Sequence, residues 1–153
     1  ASTAQSSPTS PALPYIGVRT SMRNQLPCIV DKLEVKGQVV RVFLKLAGDG
    51  LLVSRITKAS AELLDLRAGQ SVLTLCKATA VTVRTAGGRA AVGQHLKGVA
   101  MRISRGTTGD EVSLQLDAGL QLVGFAKAES GIKTKAAVLA AIDESALVIA
   151  LAG

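Results

Sequence analysis

Aromatic side chains are almost absent from this sequence. They make up 2% of its 153 residues, and there is no Trp. Proteins that bind single-stranded nucleic acid usually stack the bases on aromatic rings, so this scarcity argues against such a function. The core must instead be built from the aliphatic residues that provide most of the 48% hydrophobic content. That content is sufficient for one domain or two small ones.

Catalytic groups and metal ligands are also scarce. His95 is the single histidine, and Cys28 and Cys76 do not form a Cys-x-x-Cys pair. No Cys/His set has the spacing of a zinc site, so no bare metal cation is expected. Each cysteine lies in an apolar strand-like run, which predicts buried, reduced thiols. Because the chain has no Ser/His/Asp set and no Gly-rich phosphate loop, we do not expect an enzyme.

Long apolar runs are missing as well. The longest, among them Ala146–Ala152, are far shorter than the roughly 20 residues that a membrane span requires. The N-terminus lacks a charged region followed by an apolar one, so no signal peptide is predicted. We therefore expect no membrane partner.

Positive charge is present in excess, but it is concentrated in the first half. Residues 15–86 carry eleven Lys and Arg against five Asp and Glu, whereas residues 87–153 carry seven against six. A face that binds nucleic acid would need clustered Lys and Arg, and here the positive residues are mostly isolated. The pattern favours a local anion site over a broad basic surface.

The chain begins with a segment of linker composition. Its first 14 residues are uncharged and rich in Ser, Thr, Ala and Pro, and residues 1–18 are predicted to be flexible. A linker at this position indicates that another segment precedes it in a longer protein.

Short apolar runs separated by turns follow the linker. Strand-like runs occupy residues 26–34, 39–46, 51–56, 71–76 and 80–83. Residues 57–66 have helical periodicity instead, with Thr57 as the expected N-cap. Five strands and a short helix in about 65 residues predict a small OB-like barrel.

The second half repeats this pattern more faintly. Asn24–Val30 aligns with Gln94–Ala100 at an offset of 70, and Val72–Val83 aligns with Val138–Ile149 at an offset of 66. The chain is therefore predicted to be mainly β, with two tandem OB-like five-stranded β-barrels, each with a short helix. Residues 19–86 form the first predicted domain, and residues 87–153 form a second, degenerate one. The short edge strands favour a homo-oligomer.

Three segments of the first repeat are rich in hydrogen-bond donors and contain no carboxylate. They are Thr20–Gln25, Ile56–Ser60 and Cys76–Ala78, each at the end of a strand-like run. A tetrahedral dianion needs about two positive charges and several donors, with carboxylates kept away. Arg and Lys can supply the charge, while hydroxyls and backbone N–H groups supply donors. The predicted anion-binding residues are Ser21, Arg23, Thr57, Ser60, Lys77 and Ala78, the last through its backbone N–H.

The second repeat serves as an internal control for these residues. It replaces Ser21 by Ala91, Arg23 by Gly93, Thr57 by Lys127 and Lys77 by Asp143, and only Ser60 keeps a like partner, Ser130. The strands persist while the donors disappear, which indicates a ligand site and not a scaffold. Taken singly, each residue has a simpler interpretation: Arg23 and Lys77 as solvated strand-end residues, and Thr57 as a helix cap. Asn24 and Gln25 are expected to tie down the strand entry.

The segment Ser21-Met22-Arg23-Asn24-Gln25-Leu26, followed by Ile56-Thr57 and Leu75-Cys76-Lys77-Ala78, resembles the Mop/TOBE family of molybdate-binding domains. The family usually opens with Ser-Ala-Arg-Asn, so Met22 is a mild departure. The tandem arrangement resembles the effector region of ModE-type molybdate-responsive transcription regulators.

This resemblance implies a cytoplasmic homo-oligomer, with a dimer favoured, that binds molybdate or tungstate at a subunit interface. Ser21 and Arg23 would come from one subunit, and Thr57, Ser60, Lys77 and Ala78 from another. DNA would be contacted only through an upstream domain that is not in this chain. A storage protein of the molbindin type is one alternative within the family, and the regulatory domain of an oxyanion-transporter ATPase is another. An OB-type nucleic-acid-binding module is the alternative from another class.

Overall fold

The computed structural model describes residues 20–87 and 93–151, which form ten strands and one α-helix. The predicted linker at residues 1–18 and Ala91 lie outside these ranges. The first repeat contains β1 (Asn24–Lys36), β2 (Val39–Leu46), β3 (Leu51–Thr57), α1 (Lys58–Leu63), β4 (Ser71–Cys76) and β5 (Val81–Thr85). The second contains β6 (His95–Ser104), β7 (Asp110–Leu116), β8 (Gln121–Ala126), β9 (Ala137–Ile142) and β10 (Val148–Ala150). The prediction of a mainly β, OB-like chain is confirmed.

The strands form where apolar residues alternate with polar ones. In β2, for example, Val40, Val42, Leu44 and Leu46 are buried while the residues between them face outwards or lie half-buried. This period of two places one face of the strand against the core. Each repeat thus supplies one apolar sheet face to the interior.

The two repeats exchange their last strands. The first sheet has the order β10-β4-β1-β2-β3, and the second is a closed barrel with the order β5-β8-β7-β6-β9. Strand β5 of the first repeat pairs with β9, and β10 of the second repeat pairs with β4. The predicted boundary between residues 86 and 87 therefore divides the sequence repeats, while each sheet takes one strand from across it.

The core is shared between the repeats as a consequence of this exchange. Val81 and Val83 of β5 are buried in the same hydrophobic cluster as Leu26 and Leu44 of the first sheet and Leu114 of the second. Burial of apolar surface is the main stabilising contribution to folding, so neither repeat completes its core without the other.

The α-helix of the described residues lies in the first repeat. Thr57 caps α1, because its Oγ1 accepts a hydrogen bond from the backbone N–H of Ser60 at 3.0 Å, so the predicted N-cap is confirmed. In the second repeat, residues 127–136 form turns and no α-helix. The short helical elements described in the second repeat are 3₁₀ helices instead, Asp117–Gly119 and Glu144–Ala146. The segment 127–136 lacks the features that begin α1. The segment is four residues shorter and carries Lys127 in place of the capping Thr57.

Both cysteines are free and buried, as predicted. Burial raises the pKa of the Cys28 thiol to about 11, against a smaller opposing effect of its hydrogen bond from Thr74. In the two described ranges, no helix is both long and apolar enough to cross a bilayer.

Candidate functional site

Arg23 immediately precedes β1, and Lys77 immediately follows β4. These antiparallel strands pair Asn24 with Cys76, and Arg23 and Lys77 are the next residues outwards on each chain segment. Directly opposed residues of an antiparallel pair project to the same face of a sheet. Both side chains are exposed. The two cations predicted to bind an anion therefore flank the same end of the β1–β4 pair within one chain.

Asn24 fixes this end of β1 to the second repeat. Its side chain is 2% exposed, and it forms two hydrogen bonds with the backbone of Val123 on β8. The Asn24 Oδ1 accepts from the Val123 N–H at 2.7 Å, and Nδ2 donates to the Val123 carbonyl at 2.8 Å. The prediction that Asn24 ties down the strand entry is confirmed. Gln25 does the same more locally, donating to the Met22 carbonyl at 3.3 Å.

Ala78 directly follows Lys77 in the chain, and Ser21 lies two residues before Arg23. Ala78 is buried and begins a 3₁₀ turn (Ala78–Ala80) directly after Lys77. The first N–H groups of such a turn have no acceptor inside it, which suits an anion. Ser21 is exposed at the other side, next to a bend in which the Met22 N–H donates to Thr20 Oγ1 at 3.2 Å.

Thr57 and Ser60 lie elsewhere. Thr57 pairs with Val39 on β2, and Val39 pairs with Lys36 at the far end of β1. The 13 residues of β1 span about 40 Å along the strand, so the two hydroxyls are far from the Arg23 end. The Thr57 hydroxyl donates to Ser60 Oγ at 2.9 Å, which holds both oxygens at the start of α1.

The grouping differs from the expected division between subunits. Lys77 and Ala78 were expected to act with Thr57 and Ser60, but the pairing of β1 with β4 places them beside Arg23. Pairing of strands that are distant in sequence decides this arrangement, and the spacing of the motifs does not reveal it.

One carboxylate reaches the site, although none was expected there. Glu111 on β7 places its Oε2 3.4 Å from an Arg23 guanidinium nitrogen. Glu111 pairs with Phe125 on β8, two residues beyond Val123, so the Asn24 contact and the ion pair belong to the same junction. The two residues are 88 positions apart in sequence, which is why motif spacing gives no sign of the contact.

The second repeat contains an equivalent junction. Gln94, which aligns with Asn24, forms the same pair of hydrogen bonds with the backbone of Val53 on β3, at 2.8 and 3.0 Å. The conserved geometry in the two halves shows that these amides attach each repeat to the other.

The charges at the second junction are exchanged. Gly93 and Asp143 stand where the first junction has Arg23 and Lys77. Arg41, the counterpart of Glu111, donates to both carboxylate oxygens of Glu144 at 3.0 and 2.8 Å. The hydrogen bonds from Arg41 lower the pKa of the Glu144 carboxyl despite its partial burial. This junction has no free pair of cations for an anion among these residues.

Ser130, the one hydroxyl retained in the second repeat, has a structural role. Its Oγ donates to the Asp110 carboxylate at 2.9 Å and accepts from the Ile132 N–H at 3.3 Å. Arg105 binds the same carboxylate at 2.9 Å.

In the described ranges, no group of three His, Cys, Asp or Glu side chains is arranged to hold a metal ion.

The sequence of this chain is similar to a known domain family and to known proteins. A family model described as the TOBE domain matches residues 20–83. The molybdenum transport protein ModE of Azotobacter vinelandii is 31% identical over 143 residues, which cover 90% of this chain and 53% of that protein. ModE of Herbaspirillum seropedicae is 28% identical over 106 residues, which cover 68% and 39%. The chain thus spans about half or less of these relatives' length.

A solved structure resembles the whole fold. It is a crystal structure of the cytoplasmic molybdate-binding protein ModG with molybdate bound. The TM-score is 0.80 at 28% identity, and the match covers 88% of this chain and 99% of that one. The similarity therefore extends over both repeats.

Proposed function

Because the chain belongs to the Mop/TOBE family of molybdate-binding domains, we propose that it binds molybdate or tungstate between two copies of itself. The observation that supports this proposal is the position of Arg23 and Lys77 at the adjoining ends of the paired strands β1 and β4. A dianion needs about two nearby positive charges, and these two side chains supply them.

The second copy is required because the other predicted ligands are too distant. Ser21, Arg23, Lys77 and Ala78 lie at one end of β1, and Thr57 and Ser60 lie beyond the other. One ion cannot contact both groups of a single chain. A neighbouring subunit that presents its α1 N-terminus to Arg23 would supply the missing hydroxyls and the partial positive charge of that helix end.

An exposed apolar face supports association into a homo-oligomer, with a dimer favoured. Strands β10, β4 and β1 are neighbours in the first sheet. On them Val148 and Ile29 are 40% and 43% exposed. Exposed apolar residues on neighbouring strands are typical of protein interfaces. Sedimentation of the purified chain would measure the oligomeric state directly.

The cellular role that we propose is that of a cytoplasmic sensing module in a molybdenum-responsive transcription regulator. The similarity to two ModE proteins supports it, and DNA would be bound by a domain outside this chain. The binding of molybdate would favour whichever arrangement of subunits it stabilises. A storage or homeostasis role without DNA is the second candidate, because the match to ModG covers 99% of that protein. The reading frame upstream of the chain's coding sequence distinguishes the two.

Thermal unfolding with molybdate, tungstate, sulfate and phosphate tests the ligand. At 100 times its Kd a ligand adds about 2.7 kcal/mol to the free energy of unfolding. We expect a clear rise in Tm with molybdate and tungstate and little with sulfate or phosphate. The substitutions Arg23→Ala and Lys77→Ala should each abolish the rise. Lys127→Ala makes the same charge change in the second repeat and should not. Absence of a rise with either metal oxyanion would refute the proposal.

A mixing experiment tests the shared site. Arg23→Ala and Thr57→Ala proteins should each fail to bind molybdate when pure. After they are unfolded and refolded together, mixed dimers should regain one intact site, formed by Arg23 of one chain and Thr57 of the other. If mixing restores no binding, the ligands do not come from two subunits in this way.

A further inference from the structure

We infer that the Glu111 carboxylate occupies Arg23 in the unliganded protein and competes with the incoming anion, so that Glu111 weakens its binding. This inference rests on the proposed function, because it concerns the same site. The Arg23 guanidinium nitrogen lies 3.4 Å from Glu111 Oε2, and the two side chains are 51% and 34% exposed. Both remain accessible to a small ion from solvent.

The backbone holds Glu111 in position. Glu111 lies within β7. It pairs with Ser104 of β6 on one side and with Phe125 of β8 on the other. Asn24, the residue after Arg23, is attached to Val123 of the same β8 strand. The carboxylate is therefore carried on a paired strand next to a fixed backbone contact, and it remains near Arg23 whether or not an anion is present.

A carboxylate at this junction disfavours anion binding. A dianion beside Arg23 would stand a few ångströms from a negative charge, and like charges at that distance repel even when partly solvated. Arg23 has five N–H donors, so it can exchange Glu111 for the anion or hold both. In either case, the repulsion from Glu111 is present only when the ion is bound, and it raises the Kd.

The second junction shows that the fold does not require a carboxylate here. There the equivalent position is Arg41, which forms its ion pair with Glu144. Both junctions keep the paired amide contact, through Asn24 and Gln94. The position of Glu111 can therefore hold an arginine, whose ion pair goes to a residue that does not correspond to Arg23, while the backbone attachment stays the same. The attachment thus does not depend on the carboxylate of Glu111.

Isothermal titration calorimetry of sodium molybdate into wild type, Glu111→Gln and Glu144→Gln proteins tests the inference. Glutamine keeps the shape of the side chain and removes its charge. We expect Glu111→Gln to lower the Kd by about tenfold, as loss of one nearby like charge predicts, with the largest gain at low salt. Glu144→Gln removes the same charge at the equivalent junction and should change the Kd by less than about twofold. Glu111→Ala should match Glu111→Gln, which provides a second variant.

The outcomes separate this inference from the proposed function. Tighter binding by the two Glu111 variants alone supports the inference. If wild type binds molybdate and the Glu111 variants bind equally or more weakly, Glu111 does not compete and only the inference fails. If the Glu144 variant gains as much, the effect is one of total charge and the inference again fails. If no protein binds molybdate, the proposed function fails and the inference with it. Because an exposed ion pair contributes little stability, the Tm of the unliganded Glu111→Gln protein should stay near that of wild type.

Discussion

The paired hydrogen bonds of Asn24 provide a sharp test of how the repeats are joined. Asn24→Ala removes an acceptor at 2.7 Å and a donor at 2.8 Å from the backbone of Val123, in a side chain that is 2% exposed. Each backbone group left without a partner away from water costs about 1–3 kcal/mol. The substitution should therefore lower the free energy of unfolding by about 2–6 kcal/mol, with the upper end reached if water cannot enter.

Urea unfolding followed by circular dichroism measures this loss. For a chain of this length, 1 kcal/mol corresponds to about 2–4 °C in Tm, so the variant should melt on the order of 10 °C below wild type. Asn24→Asp provides a more specific comparison, because it keeps the acceptor and turns the donor into a second oxygen that faces the Val123 carbonyl. It should be destabilised as well.

Gln94→Ala is the matched control at the second junction. Its hydrogen bonds to Val53 measure 2.8 and 3.0 Å, but Gln94 is only half-buried, so water can replace them in part. The loss should be smaller than that of Asn24→Ala. A loss below about 0.5 kcal/mol for Asn24→Ala, or a larger one for Gln94→Ala, would contradict the assignment of Asn24 as the main attachment.

Three further measurements test other parts of the structure. Burial would raise the pKa of Asp110, but hydrogen bonds, the one from Ser130 foremost, lower it below its ordinary 3.8. The ionised carboxylate therefore stabilises the fold above that pH. The advantage in stability of wild type over Asp110→Asn in urea unfolding should shrink as the pH falls below about 4. The pKa of Cys28 is raised to about 11, and both thiols are buried, so they should resist a disulfide reagent at pH 8 and react only on denaturation. Rapid labelling of the folded protein would disprove their burial. A Cβ on Gly124 would lie 2.6 Å from Val81 Cγ1 and 2.8 Å from the Val81 carbonyl oxygen. Gly124→Ala should therefore lower the free energy of unfolding by about 1–3 kcal/mol. An unchanged urea midpoint would show that β5 does not pack there.

Local pattern was sufficient to predict most strands of the first repeat. The predicted runs at residues 39–46 and 71–76 coincide with β2 and β4, and the run at 51–56 differs from β3 by one residue. Alternation of apolar and polar side chains is a property of neighbouring residues, so the sequence displays it directly. The Thr57 cap was predictable for the same reason.

Strand partners were not predictable in this way. The two repeats have similar apolar strands, and the sequence alone does not indicate whether β5 completes its own sheet or the other one. The exchange of β5 and β10 brings the second repeat against the start of β1, which creates the Asn24 contact with Val123. The contact of Arg23 with Glu111 also joins the two repeats, and no local feature links residues that are 88 positions apart.

The two junctions differ in the balance of charge that they would present to the proposed anion. Five equivalent pairs of positions differ in charge: Arg23 and Gly93, Lys77 and Asp143, Ala78 and Glu144, Glu111 and Arg41, Phe125 and Arg55. The first set has two cations and one carboxylate, whereas the second has two of each, with Arg41 held by Glu144 and Arg55 by Ser145. A dianion therefore meets a positive excess at the first junction only, and it would have to break a bidentate ion pair at the second. This difference does not depend on the hydroxyl residues, so it favours the first junction even if Thr57 and Ser60 act only as the start of a helix.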